Sequence, residues 1–493
     1  MAAPSTSSRT PRSTRCGRPG RHLAKIVLIA LAVAATPAQA QRIISTASDL
    51  AAQALAVRES VSRRPRPEYR PIGAPLGQLF RDLDIYGLPW ISDKGFAGTP
   101  PPAPTKLAPD EPAYVPLGPD TGSDSWTDSL LLHPHFDVSF EHDDNVLRSA
   151  SNERDDEMAR FVPRLDLASD WQNHGLYFFA LADLGRYRDL STENYTDYRA
   201  RLEPRFDITE HHRLNLGFGA STVHVARGST DGSLEGREPA HNNIGDISAD
   251  WHYKADRYSS RLLYRFQRVN AKNNDTIKRD QLDRDVDEIS WRNAYEFAPG
   301  SSAWVRPEYS VSEFRLSADD NDFNRDNRGW SLLFGLTQDA SAVAYLDIGI
   351  GYLFRTFDQP GIDDFDSIAG EARVLWNATN LTTFELAAGR TARIVESQTS
   401  SASIDDSINL KAAWDPRENL IIDASLGYTD SDFRTLPGSS RREEYLEGRL
   451  GVQYLLNEYV DIQVAYEYSD LDSNIDSDDF KANVVSLRIK IGL

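Results

Sequence analysis

The chain has almost no cysteine: Cys16 stands alone among 493 residues. It precedes the first apolar run and has no lipobox-like setting, so removal of that run as an export signal leaves a mature chain without thiols, disulfides or cysteine-based metal sites. Long apolar runs are missing too. No segment approaches the roughly twenty apolar residues that a membrane-spanning helix needs. Positive charge is in deficit, with 54 Lys and Arg against 74 Asp and Glu and a formal charge of −20, which excludes nucleic acid as a partner because binding it takes a basic face. The sequence carries no G-x-S-x-G, H-E-x-x-H, P-loop or G-x-G-x-x-G pattern. No Ser-His-acid set stands out by spacing. The expectation is a protein that is not an enzyme, with no cofactor and no metal. A mean hydropathy of −0.50 leaves one membrane architecture open, the β-barrel, in which only alternate residues meet lipid.

What is present begins with an export signal. Residues 1–25 carry Arg9, Arg12, Arg15, Arg18, Arg21 and Lys25 without an acidic residue. The apolar run Ile26–Ala35 follows, then Ala38-Gln39-Ala40 as a small-x-small cleavage site. This order describes a secretory signal peptide over residues 1–40. Residues 41–130 read as a periplasmic extension, largely irregular, because Pro100-Pro101-Pro102-Ala103-Pro104, Pro109, Pro112 and Pro116 favour extended, loosely packed backbone. A short helix over Thr46–Val57 and an apolar stretch over Leu76–Trp90 are the exceptions, and the region is expected either to contact a partner, to fold back as a plug, or to act as a flexible leader.

From 131 to 493 the texture is regular. Leu202, Pro204, Phe206 and Ile208 alternate with Arg201, Glu203, Arg205 and Asp207. The same period appears through Ile247–Tyr253, Leu420–Tyr428, Val460–Tyr468 and Val485–Leu493. Period two places one set of side chains on each face of a strand. Short connections (near Asn173, Glu210, Ala255, Pro299, Ala340, Thr379, Pro416 and Asn457) alternate with long polar ones, Glu141–Glu157, Asp189–Asn194, Arg227–Ala240, Asn270–Asp283, Ala318–Asn327, Asp358–Asp364, Glu396–Ser403, Asp430–Ser440 and Ser469–Asp479. The pattern predicts an all-β, antiparallel, up-and-down transmembrane barrel of about eighteen strands. A soluble sandwich would lack this long-short rhythm, and a propeller would repeat a blade motif.

A barrel this wide holds an aqueous channel, so inward positions are polar. The pore-lining candidates are Arg160, Arg164, Arg199, Arg201, Arg205, Arg261, Arg265, Arg292, Arg306, Arg373, Arg393, Arg449, Arg488 and Lys490, with Asp166, Glu203, Asp250, Glu288, Glu296, Glu308, Glu371, Asp423 and Glu447 among them. Facing lipid at mid-membrane, each Arg or Lys would cost ~2–4 kcal/mol. Two readings of the arginines stand: a string guiding an anionic or hydroxylated polymer, or Arg-Glu pairs that brace the wall. Trp251, Tyr253, Trp376, Trp414 and Tyr454, near the short turns, suit an interfacial girdle. Asp472–Asp478 partly resembles a calcium loop but lacks its sixth-position glycine and distal glutamate, and His211-His212 reads as a solvated turn.

His133-Pro134-His135-Phe136-Asp137-Val138-Ser139-Phe140-Glu141-His142-Asp143-Asp144-Asn145-Val146 resembles the first strand of the "putative β-barrel porin 2" family, with its Asp-Asn-Val element at the first loop. Phe161-Val162-Pro163-Arg164-Leu165 and Asn194-Tyr195 continue the likeness. The resemblance implies an outer-membrane pore tied to exopolysaccharide assembly, with lipid around it, polysaccharide in the lumen and periplasmic export proteins as partners. A general diffusion porin for small solutes is the alternative. A closed barrel serving as enzyme or adhesin is a third. The expected location is the outer membrane of a Gram-negative cell, with the N-terminal extension and C-terminus periplasmic.

Overall fold

The computed structural model describes residues 130–492, apart from 170–173, 229–237, 274–277, 317–322, 341–343, 380, 396–399, 418, 436–439 and 458. The signal peptide expected over residues 1–40 and the proline-rich extension expected over 41–130 lie outside the described residues, save Leu130, which belongs to the first strand. The described chain is almost all strand: β1 (Leu130–Asp143), β2 (Asp156–Ser169), β3 (Gly175–Tyr187), β4 (Tyr195–Asp207), β5 (His212–His224), β6 (His241–Ala255), β7 (Tyr258–Lys272), β8 (Arg284–Ala298), β9 (Ser301–Phe314), β10 (Asn327–Ala340), β11 (Ala344–Phe357), β12 (Phe365–Thr379), β13 (Thr382–Ile394), β14 (Ser400–Arg417), β15 (Leu420–Thr435), β16 (Arg441–Leu455), β17 (Val460–Ser473) and β18 (Phe480–Gly492). Each strand pairs antiparallel with its sequence neighbours, and β18 pairs back onto β1 with Val138 opposite Ile489. The eighteen-stranded sheet therefore has no edge. That closure is the condition for strands to cross a bilayer, where no water satisfies an open edge.

Strand number and alternation are as the sequence predicts, but several strands run further than their polarity implies. Ser400–Ser403 belong to β14, Asp430–Thr435 to β15 and Ser469–Ser473 to β17, all read from sequence as loop. Asp415-Pro416-Arg417 lies inside β14 at a register shift and not in the turn. Beyond the apolar band the ladder continues in water, so side-chain polarity stops marking its end.

The outward face carries a band of constant height. On β15 the outward residues are Leu420, Ile422, Ala424, Leu426 and Tyr428, then Asp430; on β17 they are Val460, Ile462, Val464, Tyr466 and Tyr468, then Asp470. On β12, Trp376, Val374, Ala372, Gly370 and Ile368 lead to Asp366. The span is ten residues, about 33 Å along the strand and about 25 Å once tilted, the height of an outer-membrane apolar band. Ile350 and Ile368 leave 65% and 61% of their surface open, which water would penalise and hydrocarbon does not. At the turn end the band closes on Trp376, Trp414, Tyr454, Tyr295 and Phe297, all exposed. Toward the loop end it also carries rings, Tyr198, Tyr309, Trp330 and Tyr352, and beyond them stand ion pairs: Arg188 with Glu157, Arg268 with Asp285, Arg328 with Asp358, Arg390 with Asp406, Arg442 with Asp430 and Lys481 with Asp470.

The seam between first and last strands is stapled by Asp144-Asn145-Val146. Asp144 accepts from the Asn483 main-chain N–H and side-chain amide, both at 2.7 Å. The Asn145 amide donates to the carbonyls of Lys481 at 2.9 Å and Ser149 at 3.0 Å, and its oxygen accepts from Ser149 N–H at 3.0 Å. Val146 is buried and donates to the Arg154 carbonyl. The element that carries the family resemblance thus ties loop 1 to β18. Asn145→Ala is expected to cost roughly 1–3 kcal/mol, the range for orphaned buried hydrogen-bonding groups. A lowered unfolding midpoint, with new tryptic cleavage at Arg148 or Arg154, checks this.

Candidate pore lining

Register fixes which residues face inward. Ser139, opposite both Arg160 on β2 and Arg488 on β18, starts a set of positions that runs unbroken around the barrel. All fourteen sequence-nominated basic residues fall on it. Arg160 grips Asp183 at 2.8 and 2.7 Å, Arg164 grips Asp166 at 2.7 and 2.8 Å, and Arg261 grips Asp250 at 2.9 and 2.8 Å. Arg201 bonds Glu203 and Asp246, Arg205 bonds Asp207, and Arg488 bonds Asp137. Arg292 binds both oxygens of Asp347 at 2.9 and 3.0 Å, and Arg306 both oxygens of Glu371 at 2.9 and 2.7 Å. Arg373 pairs with Glu385, Arg393 with Asp405, and Arg449 with Asp423 and Glu467. Arg265 stands opposite Glu288, Lys490 between Asp137 and Asp461, and Arg199 between Leu181 and Ser221. Eleven of the thirteen nominated guanidinium groups therefore lie along the wall tied to carboxylates, the bracing arrangement. Two-pronged pairs of this kind are the strong form of the contact.

Glycines make the room. Arg201 on β4 reaches Asp246 and Ser248 on β6 by crossing β5 at Gly217 and Gly219; a Cβ at Gly217 would stand 2.3 Å from the Arg201 guanidinium. Between β9 and β11 a larger plate is laid. The Trp304 ring lies over Gly335 and Gly349, where added Cβ atoms would come within 2.1 and 2.4 Å of it. Its Nε1 donates to Asp347 at 2.8 Å, and the Arg292 guanidinium sits 4.0 Å from its ring centroid, a cation–π stack. Sequence reasoning nominated Arg292 and Arg306 but not Trp304 or Asp347. The available signal was the run of inward glycines on β10 and β11, Gly329, Gly335, Gly349 and Gly351, which marks a floor for something large.

The two ends of the lumen differ. Near the turns, inward side chains are half-exposed, with Arg164 39% open beside Tyr177 and Phe179. Near the loops they are buried. Phe323 and Arg325, ahead of β10, are each 1% exposed, and Arg325 donates to the Ser400 carbonyl of β14 at 3.2 Å. Those strands are four apart, about 19 Å of wall, well beyond an arginine's reach, so this stretch of backbone lies across the mouth. It packs with Leu353, Phe357, Ile362 and Phe365 into an apolar cluster, and Asn324 N–H donates to Gln359 at 2.6 Å. Burial pushes the Asp326 carboxyl above its ordinary range; Asp358 adds to this, while the Phe314 N–H that it accepts at 2.6 Å opposes it.

Among the described residues no group of three or more His, Cys, Asp or Glu has the geometry to hold a metal ion. The Asp472–Asp478 stretch is a hairpin whose Ser473 and Ile475 N–H groups bond Asp479 and Ser473. His212 stacks beside Trp251 at 5.6 Å on the outer face, and His211 is solvated.

Among solved structures, OpdO from Pseudomonas aeruginosa is 12% identical, covering 74% of this chain and 97% of its own, with a TM-score of 0.42. The outer membrane protein OpdK of the same organism is 12% identical over 73% and 99%, TM-score 0.41. Its siderophore receptor PirA is 9% identical over 73% and 80%, TM-score 0.39. No curated protein matches the chain. The family described as Putative beta-barrel porin 2 matches residues 111–492, a span that includes the whole barrel. The chain is a member of that family, an outer-membrane β-barrel of the porin kind.

Proposed function

We propose that the barrel is a conduit for a hydroxylated polymer, an exopolysaccharide or related envelope glycan, leaving the cell. The observation that carries this reading is the charge-paired inner wall. A lumen most of whose guanidinium groups are already held by carboxylates offers a moving chain many weak hydrogen bonds and few deep electrostatic traps, and passage requires binding weak enough to leave. The nominated arginines act here as the lining, and as a smooth one more than as an attractive string. In this reading residues 1–40 are removed on export, both ends of the mature chain are periplasmic, the loops face outward, and residues 41–130 are the segment available to periplasmic export proteins.

A second reading, a diffusion porin for small solutes, is favoured by the mouth, where Phe323 and Arg325 narrow the loop end. Deletion of the gene followed by measurement of extracellular polysaccharide separates the two. Polymer secretion is expected to fall sharply and to return on complementation. Undiminished polymer, with slowed uptake of small sugars in the deletion strain, would establish the diffusion porin instead.

A further inference from the structure

The outer surface carries a second feature that the pore does not use. One step beyond the apolar band, on the loop side only, Arg188, Arg268, Arg328, Arg390, Arg442 and Lys481 point outward. Both rims carry exposed aromatic rings, but among the described residues no Arg or Lys ion pair stands outward on the turn-side rim. Lipid tails and water interfaces alone would treat the two rims alike, so the difference asks for a difference between the two leaflets.

We infer that this collar is a binding surface for the phosphates of a phosphorylated glycolipid in the outer leaflet. The inference rests on the proposed orientation, loops outward, and on no assumption about cargo. Each collar cation is exposed and paired with a single carboxylate, and such pairs contribute little in water, so they yield readily to a second anion. The guanidinium groups are also not spent. Arg268 and Arg442 use Nε and Nη2 on Asp285 and Asp430, which leaves Nη1 for another acceptor. Arg390 engages Ser367 through Nε and Asp406 through Nη1, leaving Nη2. Five N–H donors in a planar fork suit a phosphate shared with a carboxylate. From β7 round to β18 the pairs recur every two or three strands, about 10–15 Å at the ~4.8 Å strand spacing, the scale of neighbouring lipid headgroups. The paired carboxylates do not cancel the site, because divalent cations bridge them to phosphate.

The test uses the full-length protein in detergent with magnesium and follows thermal unfolding as loss of the compact electrophoretic form. Bisphosphorylated lipid A is compared with the same glycolipid after removal of its phosphates. The phosphorylated form is expected to raise the midpoint by about 5 °C at saturation and the dephosphorylated form to leave it nearly unmoved. The variant R268Q/R390Q/R442Q should unfold close to the parent without glycolipid and lose most of the phosphate-dependent rise. Equal stabilisation by the two glycolipids would overturn the inference even if the variant failed to fold. So would an undiminished rise in a variant that folds.

Discussion

Exchanging Asp347 for alanine is expected to lower the stability of the folded barrel by about 3–5 kcal/mol, the cost of stranding one member of a buried ion pair. Asp347 is the hub of the plate on β8–β11. It accepts both prongs of Arg292, the Trp304 indole N–H and the Thr337 hydroxyl. The side chains of Arg292 and Asp347 are 7% and 2% exposed, so water cannot replace the lost partner without the wall opening. The paired replacement R292M/D347L removes both charges together and is expected to recover most of the loss, because a buried pair repays its own desolvation poorly. Unfolding midpoints of the two variants in the same detergent check this. Equal losses in single and double variants would mean that shape at this plate, and not charge, holds the wall.

The second large effect is functional. Phe323→Ala together with Arg325→Ala removes the two buried side chains that pin the segment ahead of β10 across the mouth. The Ser400 carbonyl loses its donor, and the cluster around Phe357, Ile362 and Phe365 loses its central ring. Conductance of single channels in planar bilayers is expected to rise severalfold, with more frequent switching between levels as the freed segment moves. Because the mouth lies beyond the apolar band, barrel stability should change far less than in Asp347→Ala. An unchanged conductance would place the narrowest point deeper, at the Trp304 level.

Much of this architecture is legible from the residues alone, for a local reason. Facing lipid or lumen is decided residue by residue, so period two in Leu420–Tyr428 or Val460–Tyr468 gives strand, face and height together. The inward basic residues follow from the same parity. Partner choice does not, because it depends on neighbours brought together by closure and curvature. Arg292 meets Asp347 three strands away and Arg306 meets Glu371 three strands away, distances that no spacing along the chain encodes. Trp304 was hidden for a related reason. An aromatic residue in a barrel strand suggests an interfacial girdle, as Trp376 and Trp414 are, whereas Trp304 faces inward onto glycines. Ser400, Asp430 and Ser469 read as loop in the sequence yet lie in strands, because hydrogen bonding continues beyond the band while the pressure for apolar side chains ends with it. The Asp-Asn-Val element was recognisable as a motif but not as a seam clasp, since its partners Lys481 and Asn483 lie at the far end of the chain.

Underlying all of these expectations is a cylinder that is apolar outside, wet inside and charge-paired along its inner wall. Electrical recording of the purified full-length protein in a planar bilayer tests this most directly. Discrete conductance steps with weak preference between cations and anions are the predicted result. Strong selectivity for anions would contradict the paired wall, and a protein that inserts as a single folded species yet passes no current at any voltage would contradict the wet interior.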